Sequence, residues 1–202
     1  MIGIILIITG FLMIIVGVVV FIKSTTNNVT NTSLSQENKP KVNKIETEPI
    51  DQDQQNGINF EKYVVQKFNK RFFTLKEWTG DKYINGIYAE STLHPDLHFE
   101  FKLNDITTGF AVECKWRKRL YKNGVELAKL EQLKRYRKYE NEKKLPVFIV
   151  IGLQGNSSNP ESLYIIPVKD VNTTFLTIDT LKKYEKDKTQ NFFFDPNKQN
   201  LK

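Results

Sequence analysis

Residues 94–117 alternate apolar and polar side chains around a short polar interruption, and this alternation constrains the fold more than any other feature of the chain. Successive side chains of a β-strand point to opposite faces of a sheet. Residues 104–105 (Asn-Asp) are a candidate two-residue turn, because both residue types tolerate the positive φ that tight hairpins require. Pairing Leu103 with Ile106 across this turn gives a hairpin with one apolar and one polar face. A longer turn around residues 107–109 is the alternative, and it would shift the register.

Three charged side chains converge on the polar face of this predicted hairpin. Asp96 falls opposite Glu113, and Lys115 lies on the same face, roughly 6–7 Å further along the strand. Two carboxylates on adjacent strands suit Mg²⁺, which prefers oxygen ligands, polarises a phosphoryl oxygen and activates water. A neighbouring lysine can orient that water or stabilise the charge that develops on phosphorus. The pattern therefore predicts metal-dependent phosphodiester cleavage, with Asp96 and Glu113 as metal ligands and Lys115 as a catalytic residue.

The order of these residues resembles a known motif. Pro95-Asp96, followed by Glu113-Cys114-Lys115, resembles the two halves of the PD-(D/E)xK nuclease motif. The chain looks most similar to the Mrr-type restriction endonuclease domains, over roughly residues 57–155. The resemblance implies a Mg²⁺ cofactor, for which Mn²⁺ can substitute, and DNA as the partner. It also implies a homodimer, since restriction-type nucleases often act as dimers.

The same resemblance implies two further catalytic residues, each on a predicted helix. Glu61 is the candidate for the acidic residue on the first helix that completes the metal site in many members of the superfamily. Gln132 is the candidate for the glutamine that Mrr-like domains often place near the active site on the second helix. For Glu61, a solvated helix charge is the alternative interpretation.

Apolar periodicity predicts the elements that flank the hairpin. Apolar residues spaced by three and four from residue 57 predict a helix, and residues 72–78 predict a strand. Residues 126–144 predict a second helix with leucines and Tyr136 on its apolar side, and residues 146–152 predict a strand buried on both faces. The order of helix, three-stranded meander, helix and strand predicts an α/β, restriction-endonuclease-like core. Its sheet is expected to be mixed, because the hairpin is antiparallel and the helical crossover can return the chain in parallel.

The N-terminal part of the chain has a different composition. Residues 2–22 form an uninterrupted apolar run, which as a helix would span roughly 31 Å, so a single transmembrane anchor is predicted over residues 1–23. A cleaved signal peptide is the alternative, but no positive residue precedes the run. Lysines follow it, which predicts that the C-terminal domain is cytoplasmic. Residues 24–56 predict a flexible polar linker, and residues 57–202 the nuclease-like domain with a C-terminal extension over 156–202.

Charge and cysteine content bear on the class of partner. The chain has a net charge of +7, and 26 of its 30 basic and 18 of its 23 acidic residues lie beyond residue 56. A basic folded domain suits a polyanionic substrate such as nucleic acid, with solubility as the alternative explanation. The single cysteine, Cys114, excludes an internal disulfide. Its place on the apolar face of the strand predicts a small buried hydrophobic residue rather than a nucleophile.

These observations predict a membrane-anchored, Mg²⁺-dependent DNA endonuclease. One alternative is a nuclease-fold module that binds nucleic acid or a partner protein at the membrane without cutting. Another is an anchored structural protein whose hairpin acids are surface charges. The complete set of two acids and a lysine favours the enzyme, because a binding module has no chemical need for that set.

Overall fold

The computed structural model describes residues 51–79, 83–84, 87–88 and 93–202. The predicted membrane anchor over residues 1–23 and most of the predicted linker over residues 24–56 lie outside these ranges. Within the described ranges, the structure contains no helix that is long and apolar enough to cross a bilayer.

The first two thirds of the described chain contain the two long helices and most of the longer strands, and mostly short elements follow. In order, the elements are α1 (Gln52–Gln66), β1 (Phe73–Trp78), β2 (Tyr83–Ile84), β3 (Ile87–Tyr88), β4 (Leu97–Leu103), β5 (Ile106–Arg117), β6 (Gly124–Glu126), α2 (Leu130–Lys143), β7 (Val147–Leu153), β8 (Ser162–Pro167), β9 (Phe175–Thr177), α3 (Ile178–Leu181), β10 (Glu185–Lys186), β11 (Phe194–Asp195) and β12 (Asn200–Leu201). Single 3₁₀ turns occupy Val168–Asp170 and Lys182–Tyr184.

A six-stranded sheet with the order β1-β4-β5-β7-β8-β10 forms the centre of the domain. Strand β5 pairs antiparallel with β4 and parallel with β7, and the other neighbouring strands are antiparallel. The chain between the parallel strands β5 and β7 passes through α2, because parallel neighbours cannot be joined by a tight turn and need a crossover connection. The predicted α/β core with a mixed sheet is confirmed.

The hairpin of β4 and β5 has the register predicted from side-chain alternation. Leu103 pairs with Ile106 and Leu97 pairs with Val112. Asn104 has a φ of 52°, which is the left-handed conformation that a tight turn requires at this position. The alternative turn around residues 107–109 is therefore wrong, and the register places Asp96 next to Glu113.

An aromatic core fills the space between the sheet and α1. Phe60 and Val64 of α1 are fully buried against the face of the sheet that carries the apolar residues of the hairpin. Phe110 on β5 lies at the centre of this cluster. Its ring centroid is within 6.0 Å of five other aromatic rings, those of Phe68, Phe73, Phe99, Phe148 and Phe194.

The opposite face of the sheet is covered by α2. Leu133, Tyr136 and Tyr139 are the buried residues of this helix, and they pack with aliphatic residues of β7 such as Ile149 and Ile151. Both faces of β7 are therefore covered, as the continuous apolar run predicts. A sheet covered on both faces leaves the ends of its strands as the place where polar side chains can gather.

Two helix boundaries differ from the sequence prediction. Helix α1 begins at Gln52 instead of residue 57, because the Asp51 side chain accepts a hydrogen bond from the Asp53 N–H at 3.0 Å and caps the helix. The last residues of the predicted linker thus belong to a helix. Helix α2 begins at Leu130 instead of residue 126, because residue 126 is the last residue of β6 and pairs with β9.

A close contact between α1 and β7 yields a prediction about stability. A Cβ atom at Gly152 would lie 2.4 Å from Cε2 of Phe60, which is fully buried and has no room to move away. We expect Gly152→Ala to lower the free energy of unfolding by about 1–3 kcal/mol, as measured by urea denaturation. Gly57→Ala is the matched control, because a Cβ there meets nothing within 4 Å and alanine favours a helix. A Gly152→Ala variant as stable as the wild type would contradict the packing described here.

Candidate active site

Asp96 is fixed at the point where the ladder between β4 and β5 ends. Its Oδ2 accepts a hydrogen bond from the backbone N–H of Cys114 at 2.7 Å. Its own carbonyl accepts one from the N–H of Thr79 at 2.7 Å. The Asp96 carboxylate thus takes the place of a further strand residue beside β5. The Cys114 N–H therefore holds the side chain of Asp96 beside β5, and the Thr79 N–H holds its backbone.

Glu113 and Lys115 lie side by side on the face of β5 that faces α2. The ammonium of Lys115 donates a hydrogen bond to Oε1 of Glu113. Both side chains are largely withdrawn from solvent, with 6% of the Glu113 side chain and 18% of the Lys115 side chain exposed. Burial lowers the pKa of Lys115, but the carboxylates of Glu113 and Asp96 outweigh burial and raise it overall. Lys115 therefore remains a cation and a hydrogen-bond donor at neutral pH.

Tyr136 of α2 approaches the same carboxylate. Its hydroxyl donates a hydrogen bond to Glu113, and the residue is 2% exposed. Burial, followed by the negative charge of Glu113, raises the pKa of Tyr136 far above its usual range, so the phenol stays protonated. Glu113 is thus held between an ammonium from its own strand and a phenol from the covering helix.

All five residues predicted for the site line one cavity of about 250 Å³. Asp96, Glu113 and Lys115 come from the sheet. Glu61 reaches the cavity from α1 and accepts a hydrogen bond from the indole N–H of Trp78 on β1. Gln132 reaches it from the first turn of α2, where its Oε1 accepts a hydrogen bond from the Lys129 N–H at 3.0 Å and so caps the helix. The remaining lining residues are Leu93, His94, Cys114, Arg135 and Tyr136.

The carboxylates in this cavity repel one another. Burial raises the pKa of Asp96 well above its usual value, and the negative charges of Glu113 and Glu61 raise it further. Lys115 and the Cys114 N–H oppose this shift without cancelling it. Three carboxylates line the cavity against two cations, Lys115 and Arg135, so the cavity carries a local excess of negative charge. Such a site attracts a cation and by itself repels a phosphate.

The donor set fits a hard divalent cation that retains water. Within the described residues, no three His, Cys, Asp or Glu side chains are grouped closely enough to enclose a metal ion on their own. Mg²⁺ does not need such an enclosure, because it is usually held by one or two carboxylates, several waters and the substrate phosphate. Asp96 and Glu113 supply two carboxylates at adjacent positions, and the repulsion between them is what a divalent ion would relieve.

Burial and the neighbouring carboxylates destabilise the ionised form of Asp96, which predicts that the Asp96→Asn variant is more stable than the wild type. Because the folded-state pKa of Asp96 lies above its unfolded-state value, the native state binds more protons between the two. The free energy of unfolding therefore falls as pH rises through that interval. We expect Asp96→Asn to raise the free energy of unfolding at neutral pH in metal-free buffer, because asparagine carries no charge to be destabilised. The gain should shrink as pH falls toward the unfolded-state pKa, about 3.9.

The measurement is urea denaturation of both proteins across the acidic and neutral range in the presence of a chelator. Asparagine can still accept the hydrogen bond from the Cys114 N–H, so the backbone contact is preserved. A variant that is less stable than the wild type at neutral pH would show that the carboxylate of Asp96 is not destabilised by its neighbours.

Two residues of the second helix that the sequence did not place in the catalytic site, Tyr136 and Arg135, also line this cavity. Tyr136 was assigned to the apolar stripe of the second helix, which is correct for its ring but omits its hydroxyl. The spacing of four between Gln132 and Tyr136 places both on one helix face, so the carry-over of Gln132 to the site already implied Tyr136.

Comparisons with known proteins add a distant structural likeness. No family model matches the chain, and no curated protein matches it. Among solved structures, the chain is similar to Hjc, a Holliday junction resolvase from the archaeal hyperthermophile Archaeoglobus fulgidus, with a TM-score of 0.45 and 15% sequence identity. The match covers 63% of this chain and 93% of the resolvase. At a TM-score this low the likeness carries no argument about chemistry, so the function is inferred from the residues of this chain.

Proposed function

We propose that the chain is a divalent-metal-dependent DNA endonuclease of the restriction-endonuclease-like type, resembling the Mrr-like domains. The observation that carries the proposal is the meeting of Asp96, Glu113 and Lys115 in one cavity at the end of a strand ladder. Two carboxylates and a retained ammonium are the groups that phosphodiester hydrolysis assisted by Mg²⁺ or Mn²⁺ requires.

Each residue has a distinct role in this proposal. Asp96 and Glu113 would hold the cation, which when bound would polarise a phosphoryl oxygen and lower the pKa of an attacking water. Lys115 has three N–H donors, of which one is used by Glu113, so it can also donate to the phosphate or orient the water. Tyr136 holds the Glu113 carboxylate in place.

Glu61 and Gln132 support the site from the two helices. The negative charge of Glu61 acts on Asp96 across the cavity, and a cation between them would be favoured by both carboxylates. The Gln132 side chain retains N–H donors that are not used in capping Lys129, and it lies in the cavity wall. We propose that it donates to water or to substrate.

The cellular setting proposed for this activity comes from residues beyond the described ranges. We propose that residues 1–23 anchor the chain in a membrane as a single span, with the nuclease-like domain cytoplasmic. The basic residues of the domain would draw DNA to it. Cleavage as a homodimer is the assembly proposed, by analogy with restriction-type nucleases.

A cleavage assay on matched aspartate variants tests the proposal. The full chain, purified in detergent, is incubated with supercoiled plasmid DNA in Mg²⁺ or Mn²⁺, and nicked and linear products are quantified. We expect cleavage by the wild type and a loss of at least about a hundredfold for Asp96→Asn. That variant is expected to be the more stable protein, so unfolding cannot account for the loss.

Asp105→Asn is the control, because Asp105 lies exposed in the hairpin turn at the opposite end of the strands. It should cleave like the wild type. Metal-independent cleavage, or equal activity of the Asp96 variant, would refute the proposal. Binding of DNA without cleavage in either metal would favour the non-cutting nuclease-fold module. A parallel incubation with RNA of matched length tests the assignment of DNA as substrate.

A further inference from the structure

Two nitrogen atoms in the wall of the candidate active site are buried without a hydrogen-bond partner in the described part of the chain. They are Nε of Arg135 on α2 and Nδ1 of His94, which precedes β4. Nearly all buried polar atoms of native proteins are paired, so a buried donor that finds no partner in its own chain points to a ligand or a solvent molecule. Both atoms belong to residues that line the same cavity as Asp96 and Glu113.

Arg135 and His94 also form the wall that the active-site cavity shares with a neighbouring cavity. The second cavity has a volume of about 390 Å³ and shares Leu93, His94 and Arg135 with the first. It extends along α2 and is lined further by Lys138 and Lys143. A strand of nucleic acid that enters the active site from this side must pass Arg135 and His94.

The sign of the charge changes across this wall. The active-site cavity contains the carboxylates of Glu61, Asp96 and Glu113 against Lys115 and the shared Arg135, so acids outnumber bases and the cavity suits a cation. The neighbouring cavity contains Arg135, Lys138 and Lys143 against one acid, Glu142, whose contact with Lys138 at 3.7 Å is exposed to solvent. A phosphate that does not touch the metal would therefore be attracted to the second cavity and repelled from the first.

We propose that Arg135 and His94 form a subsite for the backbone phosphate that adjoins the cleaved bond. The proposal rests on the function proposed above, because it takes the substrate to be a polynucleotide strand. Arginine presents a planar set of donors that matches phosphate geometry, and its buried Nε–H would gain a partner in the complex. Lys138 and Lys143 extend the path of the strand beyond this subsite. Arg135 is a binding residue that places the strand and takes no part in the chemistry.

Equilibrium binding at several salt concentrations tests the subsite without requiring cleavage. A fluorescent duplex oligonucleotide is titrated with the full chain in a chelator, and the logarithm of the association constant is plotted against that of the salt concentration. Arg135→Gln is expected to weaken binding about tenfold at low salt and to reduce the slope by about 0.9, the contribution of one phosphate contact.

Lys134→Gln is the matched control. It removes one positive charge from the adjacent position of α2, but Lys134 is exposed, contacts Glu131 at 3.0 Å and lines neither cavity. We expect less than a threefold change in affinity. Wild-type binding by the Arg135 variant, or an equal loss in both variants, would overturn the subsite in favour of diffuse attraction to a basic surface.

Inorganic phosphate separates a strand phosphate from a free anion. It should displace the oligonucleotide only at the ionic strength at which sodium chloride does so. Displacement by phosphate at a lower ionic strength than sodium chloride requires would overturn the proposal in favour of a free-anion site. Thermal melting checks the variant, which should be at least as stable as the wild type because a buried, unpaired N–H is removed. Should Arg135→Gln not fold, His94→Ala decides: a loss of about threefold supports the subsite, and unchanged binding overturns it.

The outcomes separate this inference from the proposed function. Weaker binding by Arg135→Gln in a chain that never cuts DNA would support the subsite and refute the nuclease. Cleavage by a chain whose Arg135 variant binds normally would support the nuclease and refute the subsite. A chain that binds no oligonucleotide at any salt concentration refutes both.

Discussion

Replacing Lys115 with methionine is expected to lower the rate of DNA cleavage by at least about a hundredfold while DNA binding persists. Methionine keeps much of the volume of the lysine stem but has no charge and no N–H donor. The ammonium lies beside Glu113 within the candidate active site, and its raised pKa means that it acts as a cation throughout the neutral range. The loss should appear in kcat rather than in the affinity for DNA, because Lys115 acts on charge that develops during the reaction.

Lys102→Met is the matched control for this prediction. Lys102 lies exposed on β4, roughly 20 Å along the strand from Asp96. It is not among the residues that line the active-site cavity. It should retain wild-type kcat. Thermal melting of Lys115→Met is needed beside the assay, because Glu113 loses a buried partner. A folded Lys115→Met protein that cleaves at the wild-type rate would remove lysine from the mechanism.

Replacing Phe110 with alanine is expected to lower the free energy of unfolding by about 3–5 kcal/mol. Phe110 is fully buried, and its ring contacts five other rings in the core beneath α1, including Phe194 at 4.7 Å. Those rings come from the turn after α1, from β1, β4 and β7, and from the C-terminal hairpin formed by β11 and β12. No single element can therefore move to close the cavity that the substitution leaves. The measurement is the midpoint of urea denaturation, with an unchanged slope as the sign of unaltered cooperativity.

Phe193→Ala provides the comparison. Phe193 adjoins the same C-terminal hairpin but is 47% exposed, and its contact is with the Lys202 ammonium, 5.7 Å from the ring centroid. Its replacement should cost less than about 1 kcal/mol. Equal losses for the two substitutions would mean that the aromatic cluster does not form the core of the folded protein.

The register of β4 and β5 was predictable because it depends on local alternation and on one tight turn. A one-residue slip would have placed apolar side chains of one strand beside polar side chains of the other, so few registers competed. The start of α2 was not predictable in the same way. The apolar residues around residue 127 continue the helical periodicity, but the chain there pairs through β6 with β9, about fifty residues later. Local periodicity carries no information about such a distant strand.

The residues of the candidate site likewise fall into those that local strand geometry places and those whose position depends on packing between distant elements. Asp96, Glu113 and Lys115 were brought together by strand geometry alone. Glu61 and Gln132 lie on helices, whose rotation relative to the sheet is set by packing, and they were reached through a family resemblance. Tyr136 and Arg135 depend on the same rotation, and nothing in their local sequence distinguishes a helix face that meets Glu113 from one that meets aliphatic residues.

The role of Glu113 as a metal ligand is tested by the dependence of cleavage on Mg²⁺. Plasmid cleavage by the wild type and by Glu113→Gln is followed as Mg²⁺ is added to a metal-free reaction. Glu113→Gln removes one carboxylate and keeps the volume of the side chain. We expect the wild type to be inactive in the chelator and to gain activity with Mg²⁺, and we expect Glu113→Gln to stay inactive at every Mg²⁺ concentration. Cleavage in the chelator, or a Glu113→Gln variant that matches the wild-type rate, would contradict this role.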